Sequence, residues 1–114
     1  MKIFNKLKGD FGEEKAAKYL KRQKYKIIKR NFKNQLGEID IIARQKDVVV
    51  FVEVKTRTDE SFGYAAEAVD SKKQQKIRNV ALLYTQKHNI SNFRFDVVEV
   101  YLKDERINHI IDAF

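Results

Sequence analysis

The chain has 114 residues, of which 43% are hydrophobic and 35% are charged. These values are typical of a single soluble globular domain, and they exclude an intrinsically disordered chain. The absence of cysteine excludes disulfides, zinc-thiolate sites and thiol nucleophiles. No apolar run is long enough to span a membrane and the N-terminus has no secretory signal, so we expect a cytoplasmic protein with no membrane partner.

The net charge of +8 is concentrated at the N-terminal end of the chain. The first 33 residues hold twelve Lys or Arg and only three acidic residues. Such a surplus favours a polyanionic partner, because basic side chains that neutralise phosphates release counterions. It is equally typical of a lysine-rich surface that keeps a protein in solution, so charge alone leaves both interpretations open.

The first half of the chain predicts one helix and three strands. Residues 9–23 place small and apolar side chains at helical spacing and end in basic residues that complement the helix dipole, so we predict a helix there. A short strand is predicted at residues 25–32. Residues 38–44 and 47–57 are rich in β-branched side chains and are separated by a short polar connection, which predicts an antiparallel hairpin. Both of its strands should be central in the sheet, because they are apolar on both faces.

The second half predicts another helix and further strands. Residues 58–68 are typical of a loop, with a short helix that starts at Ala65 as the alternative. Residues 71–88 have Ile77, Val80, Ala81 and Tyr84 at helical spacing. Residues 93–102 predict a strand, and residues 107–114 predict a further strand or a strand followed by a tail. We therefore expect an α/β fold with a mixed sheet of about five strands flanked by helices, in the core order α-β-β-β-α-β.

Ionisable residues interrupt the two most apolar strands. Glu53 and Lys55 share one face of their strand, and the short connection of the hairpin would bring Asp40 near Glu53. Neighbouring carboxylates repel each other, so a hard divalent cation such as Mg²⁺ is a natural occupant of this position. The alternative is a cross-strand ladder of ion pairs with no chemical role.

The spacing of Asp40, Glu53 and Lys55 resembles the D…(D/E)-x-K signature of the restriction-endonuclease-like, or PD-(D/E)XK, nuclease superfamily, which includes Holliday junction resolvases. A wider set of motifs is similar to the bacterial YraN-like family, a predicted nuclease branch of that superfamily. These motifs are GD at residues 9–10, A..YL at 16–20, GEIDII at 37–42, VFVEVKTR at 50–57, RFDVV at 94–98 and the terminal DAF. The resemblance covers essentially the whole chain.

The resemblance implies one restriction-endonuclease-like domain over residues 1–114 and a nuclease that depends on Mg²⁺ or Mn²⁺. Asp40 and Glu53 would be the metal-binding carboxylates, with Glu13 as an additional acidic ligand from the first helix. Lys55 would orient the attacking water and offset charge on the phosphate. Read from the residues alone, Glu13 is equally typical of an exposed glutamate at the start of a helix.

The expected partner is nucleic acid, in particular DNA. The resemblance places Lys73 and Gln74 near the scissile phosphate, and further phosphate contacts are assigned to Lys72, Arg57 and Arg30. No base-reading motif is visible, so we expect structure-selective cleavage of branched, flapped or single-stranded DNA. The similarity to junction resolvases, which act as pairs, suggests a homodimer. The alternative function is a non-catalytic nucleic-acid-binding module that retains the nuclease fold.

Overall fold

The computed structural model describes residues 2–58 and 69–114. The elements are α1 (Lys2–Arg22), β1 (Lys26–Asn34), β2 (Gly37–Gln45), β3 (Val48–Arg57), α2 (Ser71–Lys87), β4 (Phe93–Tyr101) and β5 (Ile107–Ile110). They follow the predicted order, with a short fifth strand and a C-terminal tail, and they confirm the α/β class. The predicted loop at residues 58–68 lies, after Thr58, outside the described residues.

The five strands form one mixed sheet in the order β1-β2-β3-β4-β5. All neighbouring strands are antiparallel except β3 and β4, which are parallel. A parallel pair needs a crossover connection, and α2 lies in the segment that joins these two strands. The predicted hairpin of β2 and β3 is confirmed, as is the central position of both strands. This arrangement is compatible with a restriction-endonuclease-like core.

One helix packs on each face of the sheet, which explains why β2 and β3 are apolar on both sides. The α1 face buries Ala16, Ala17 and Leu20 against Ile41, Ala43, Val50, Val52, Val98 and Val100. The α2 face buries Ile77, Val80, Ala81 and Tyr84 against Ile39, Ile42, Phe51, Phe95 and Val97. Among residues 2–58 and 69–114, neither helix has an apolar stretch long enough to cross a membrane.

Helix α1 begins at Lys2 and not near Gly9, so the predicted start of this helix is wrong by about two turns. A glycine inside a helix costs only about 1 kcal/mol, which the flanking helix-forming residues readily offset. Gly12 has a separate role, because a Cβ atom there would lie 1.9 Å from Thr56 Oγ1 on β3. The missing side chain therefore allows α1 to approach the strand that carries Glu53.

Two alanine substitutions in α1 test this close approach. We expect Gly12→Ala to lower the free energy of unfolding by about 1–3 kcal/mol, because the added methyl group forces α1 away from β3. Gly9→Ala is the matched control, since nothing lies within 4 Å of a Cβ atom at that position. It should stabilise the protein by up to about 1 kcal/mol through helix propensity. Urea denaturation of both variants measures the difference, and equal effects would contradict the packing role of Gly12.

A buried polar network fixes the C-terminal end of the chain. Asp96 is fully buried and accepts hydrogen bonds from Arg94 Nε at 3.0 Å and from the backbone N–H of Asp112 at 3.0 Å. Its Oδ2 lies 2.8 Å from His109 Nε2, and the other ring nitrogen of His109 lies 3.0 Å from the hydroxyl of Tyr19 on α1. Asp96 and His109 thus have structural roles in packing α1, β4, β5 and the tail together.

Candidate active site

Asp40 lies where β2 and β3 separate, a position that we call the strand fork. The last pair of the ladder between these strands is Ile41 with Val52. Just beyond it, Asp40 Oδ2 accepts a hydrogen bond of 2.8 Å from the backbone N–H of Val54. The carboxylate thus satisfies a backbone donor that no longer has a partner on β2. This hydrogen bond fixes the side chain of Asp40 against β3.

The alternation of β2 breaks at the strand fork. A regular strand would place Ile39 and Ile42 on opposite faces, yet both pack in the cluster under α2. Asn31 lies opposite Asp40 on β1, between two residues paired with Ile41 and Ile39, and it adopts a left-handed φ of 51°. Asp40 thus lies between two residues that pack on opposite faces of the sheet, Ile39 under α2 and Ile41 under α1.

Glu53 completes a pair of carboxylates with Asp40, which we call the acidic pair. The two side chains share a hydrogen bond, as the predicted cross-strand contact required. Glu53 is only 7% exposed, and its Oε2 atom lies 2.6 Å from Lys73 Nζ at the start of α2. The ammonium group of Lys73 is largely exposed, so this cation connects the acidic pair with the surface.

The protonation of the acidic pair follows from its burial. Burial, together with the hydrogen bond and the negative charge of Glu53, raises the pKa of Asp40 from 3.8 to about 8. At neutral pH Asp40 therefore retains its proton. Burial lowers the pKa of Lys73, but the hydrogen bond and charge of Glu53 outweigh that effect, and the pKa is raised overall. Lys73 thus places a positive charge directly beside the acidic pair.

Glu13 lies on the α1 side of Asp40. Its side chain is mostly buried, and Arg30 Nε donates a hydrogen bond of 3.1 Å to its Oε1 atom. Burial raises the pKa of Glu13, although Arg30 acts in the opposite direction. Glu13, Asp10 and Asp40 line a cavity of about 230 Å³ between α1 and the sheet. Glu13 thus faces Asp40 across this cavity.

The donor set fits a divalent cation that is held by two protein carboxylates. Mg²⁺ is commonly bound through one or two carboxylates, with water and substrate phosphate in its other positions. Asp40 and Glu53 supply such a pair of hard oxygen ligands. Within residues 2–58 and 69–114, no three His, Asp or Glu side chains are grouped closely enough to hold a metal ion.

Three other predicted site residues differ in their surroundings. Lys55 is exposed two residues after Glu53, on the same face of β3. Lys72 is also exposed and lines a cavity with Lys73. Gln74 instead donates a hydrogen bond of 2.8 Å to the carbonyl oxygen of Val69. The role of Gln74 in this structure is to fix the start of α2.

The two arginines predicted to contact phosphate have carboxylate partners within the protein. Arg57 is only 6% exposed and forms a buried ion pair with Glu99 on β4. Arg30 bridges Glu13 and Glu14 on α1. Both guanidinium groups therefore neutralise acidic side chains, a use that the sequence did not indicate because their partners are distant along the chain.

The sequence analysis also missed how the first turn of α2 is stabilised. Lysines crowd this turn, and cations at a helix N-terminus oppose the helix dipole. The structure supplies the negative group from the chain itself, since Asp70 Oδ1 accepts a hydrogen bond of 2.8 Å from the backbone N–H of Lys73. An aspartate directly before a predicted helix is a recognisable N-cap signal.

Comparison with known proteins identifies a family. The model of the uncharacterised protein family UPF0102 matches residues 12–100. A UPF0102 protein of Clostridioides difficile is 52% identical over 96% of this chain and 98% of its own length. Another, from Caldanaerobacter subterraneus, is 48% identical over 99% of this chain and 98% of its own length. The matched region includes both strands of the acidic pair and all of α2. The chain belongs to the uncharacterised protein family UPF0102, the YraN-like family.

Proposed function

We propose that this protein is a metal-dependent endonuclease that hydrolyses phosphodiester bonds in DNA, with a preference for branched, flapped or single-stranded substrates. One observation carries the proposal: Asp40 and Glu53 form a buried acidic pair at the strand fork, in contact with the cation of Lys73. Two carboxyl groups that share one poorly solvated position are costly for a fold, and groups with perturbed pKa values concentrate at functional sites.

The residues around the acidic pair divide the chemistry between them. When bound, Mg²⁺ or Mn²⁺ would lower the pKa of a water molecule and stabilise the charge that develops on the phosphate. Asp40 and Glu53 would hold that ion, and the hydrogen bond from Val54 N–H fixes the orientation of Asp40. Lys55 would orient the attacking water. Lys73 would move from Glu53 to the substrate phosphate when the ion takes its place.

The direct test is cleavage of labelled single-stranded, duplex, flap and four-way-junction DNA in Mg²⁺ or Mn²⁺. We compare the wild-type protein with Asp40→Ala and with Asp47→Ala. Asp47 is an exposed aspartate at the opposite end of the same hairpin, so it controls for the loss of one carboxylate. The proposal requires cleavage that EDTA stops, that Asp40→Ala removes and that Asp47→Ala retains.

The same assay addresses the non-catalytic alternative. A binding module would bind these DNAs in the presence of EDTA, but neither the wild-type protein nor either variant would cut any of them in either metal. That result would refute the nuclease proposal and favour the binding module. Equal cleavage by wild type and Asp40→Ala would instead indicate a contaminating nuclease or a different active site.

The protonation of Asp40 gives a prediction for metal binding. Because the pKa of Asp40 is about 8, its carboxyl group holds a proton at pH 7 that a bound cation must displace. We expect release of about one proton for each Mn²⁺ bound at pH 7. The affinity should rise up to about tenfold per pH unit between pH 6 and 8 and level off above that range.

Isothermal titration calorimetry in buffers of different ionisation enthalpy measures this proton release. The matched control is Asp40→Asn, whose amide has no proton to displace. Tight Mn²⁺ binding to the wild-type protein without proton release, or with the same release in Asp40→Asn, would contradict the assignment of Asp40 as a protonated metal ligand.

A further inference from the structure

We infer that a single nucleic-acid strand lies in one continuous groove along α2, between that helix and the β1–β2 turn, and runs from His88 to the acidic pair. The reaction at the end of the groove rests on the proposed function, whereas the binding of the strand does not. The groove would select the substrate, because its surface accepts an unpaired strand of defined length.

Three adjoining cavities form the groove. The first, of about 410 Å³, lies between β1 and the C-terminal half of α2 and is lined in part by Lys33 and Asn34. The second, of about 310 Å³, shares Lys33 and Asn34 with the first. It shares Gly37 and Glu38 with the third, of about 470 Å³, which reaches Lys73. The cavities therefore adjoin along the β1–β2 turn, which contacts α2 where Asn34 Nδ2 donates a hydrogen bond of 3.3 Å to the carbonyl oxygen of Val80.

The charge of the groove is complementary to a phosphate backbone. Among residues 2–58 and 69–114, the first cavity is lined by Lys29, Lys33 and Lys87 and by no acidic side chain. All three lysines are exposed, and Lys33 has only a long contact of 3.8 Å with Glu38. Lysines that neutralise phosphates gain affinity through counterion release. The first cavity is therefore the part of the groove that binds the strand most strongly.

The floor of the same cavity is aromatic, which distinguishes it from a simple basic patch. Phe32, Tyr84 and His88 line it, with ring centroids 5.1 Å apart for Phe32 and Tyr84 and 4.3 Å apart for Tyr84 and His88. Of these rings, His88 is exposed and Phe32 is partly exposed. Lysines beside accessible rings are the combination that binds single strands without sequence preference, since bases stack on the rings.

The groove ends at the candidate active site. Lys73 lines the third cavity and also contacts Glu53 at 2.6 Å. From Lys73 to Lys87 the helix rises about 21 Å, which corresponds to about six stacked nucleotides. Consider a strand whose end is bound in the first cavity. The phosphate about six nucleotides from that end would then lie at the acidic pair.

Binding of a fluorescently labelled single-stranded oligonucleotide in EDTA tests the groove without any need for catalysis. The groove variant combines Lys29→Ala, Lys33→Ala and Lys87→Ala. The control variant combines Lys18→Ala, Lys21→Ala and Lys103→Ala, which remove the same charge from exposed positions outside the groove. Circular dichroism establishes that both variants are folded.

We expect the groove variant to bind single-stranded DNA at least about tenfold more weakly at 0.1 M salt. The slope of log Kd against the logarithm of the salt concentration should also be lower by about two. The control variant should lose less than about threefold, because exposed charges beyond the screening length contribute little. Equal losses in the two variants would overturn the inference, as would a loss confined to duplex DNA.

A length series gives a second measurement on the unmodified protein. Affinity should rise steeply with oligonucleotide length up to about six nucleotides and slowly thereafter. A steep rise that continues well past that length would contradict a groove of this size. Binding loss in the groove variant without cleavage by the wild type would support the groove and refute the nuclease. Cleavage with no binding loss would do the reverse.

Discussion

Replacing Asp40 with asparagine is expected to remove cleavage and, at alkaline pH, to stabilise the protein. Cleavage in Mg²⁺ should fall by about 10³-fold or more, because a neutral amide cannot supply the negative charge that the deprotonated carboxylate would bring to a bound cation. The fold should tolerate the change. The amide oxygen can accept the hydrogen bond from Val54 N–H, and the amide nitrogen can donate to Glu53.

The gain in stability follows from the raised pKa of Asp40. The folded protein holds a proton up to pH about 8, whereas the unfolded chain releases it near 3.8. Between these values the folded state binds more protons, so this contribution to stability is complete below pH 4 and is lost as the pH rises to 8. Asparagine has no such loss. Between pH 5 and pH 9 the stability of the variant relative to wild type should therefore rise by up to about 4 kcal/mol, since each of the roughly three pH units below the pKa of Asp40 contributes about 1.4 kcal/mol.

Thermal or urea unfolding of both proteins at pH 5, 7 and 9 provides the measurement. The stability difference should grow across the series, while Asp47→Asn at the exposed end of the hairpin should show no such trend. An Asp40→Asn protein that is less stable than wild type at pH 9 would mean that the carboxylate has another stabilising partner. Retained cleavage would remove Asp40 from the reaction.

The second large effect is expected at the buried ion pair of Arg57 and Glu99. Glu99 is 1% exposed, and it also accepts hydrogen bonds from the hydroxyl of Tyr101 at 3.1 Å and from Asn108 Nδ2 at 3.0 Å. Glu99→Gln preserves the shape but leaves the guanidinium charge of Arg57 buried without this carboxylate. We expect a loss of about 3 kcal/mol or more in the free energy of unfolding.

Two further variants separate the loss of a buried ion pair from the loss of a carboxylate alone. Glu105→Gln removes the carboxylate of an exposed ion pair with Lys15 and should cost less than about 1 kcal/mol. Replacing both buried partners, as in Arg57→Met with Glu99→Leu, should recover much of the lost stability, because no buried charge remains. A cost for Glu99→Gln as small as that for Glu105→Gln would show that Arg57 does not depend on Glu99 for its buried position.

The sequence predicted the acidic pair better than it predicted the surroundings of that pair. The alternation of side chains along β3 and the short hairpin connection predicted that Asp40 lies near Glu53, because both features depend only on neighbouring strands. The partners of Arg57 and Arg30 were missed for the opposite reason. Glu99 is 42 residues from Arg57 in the chain, and the parallel pairing of β3 with β4 that brings them together has no local signal.

The sequence by itself determined the α/β class, the order of the elements, the central position of β2 and β3, and the family, because hydrophobic periodicity and short motifs encode them. Only the tertiary structure decided that Asp40 replaces a backbone acceptor at the strand fork, that Glu13 faces it across a cavity, and that Lys73 reaches Glu53 from α2. The same holds for the groove, whose lysines come from β1 and α2. These contacts join residues far apart in the chain, and their geometry is set by the crossover and by the packing of each helix on its own face of the sheet.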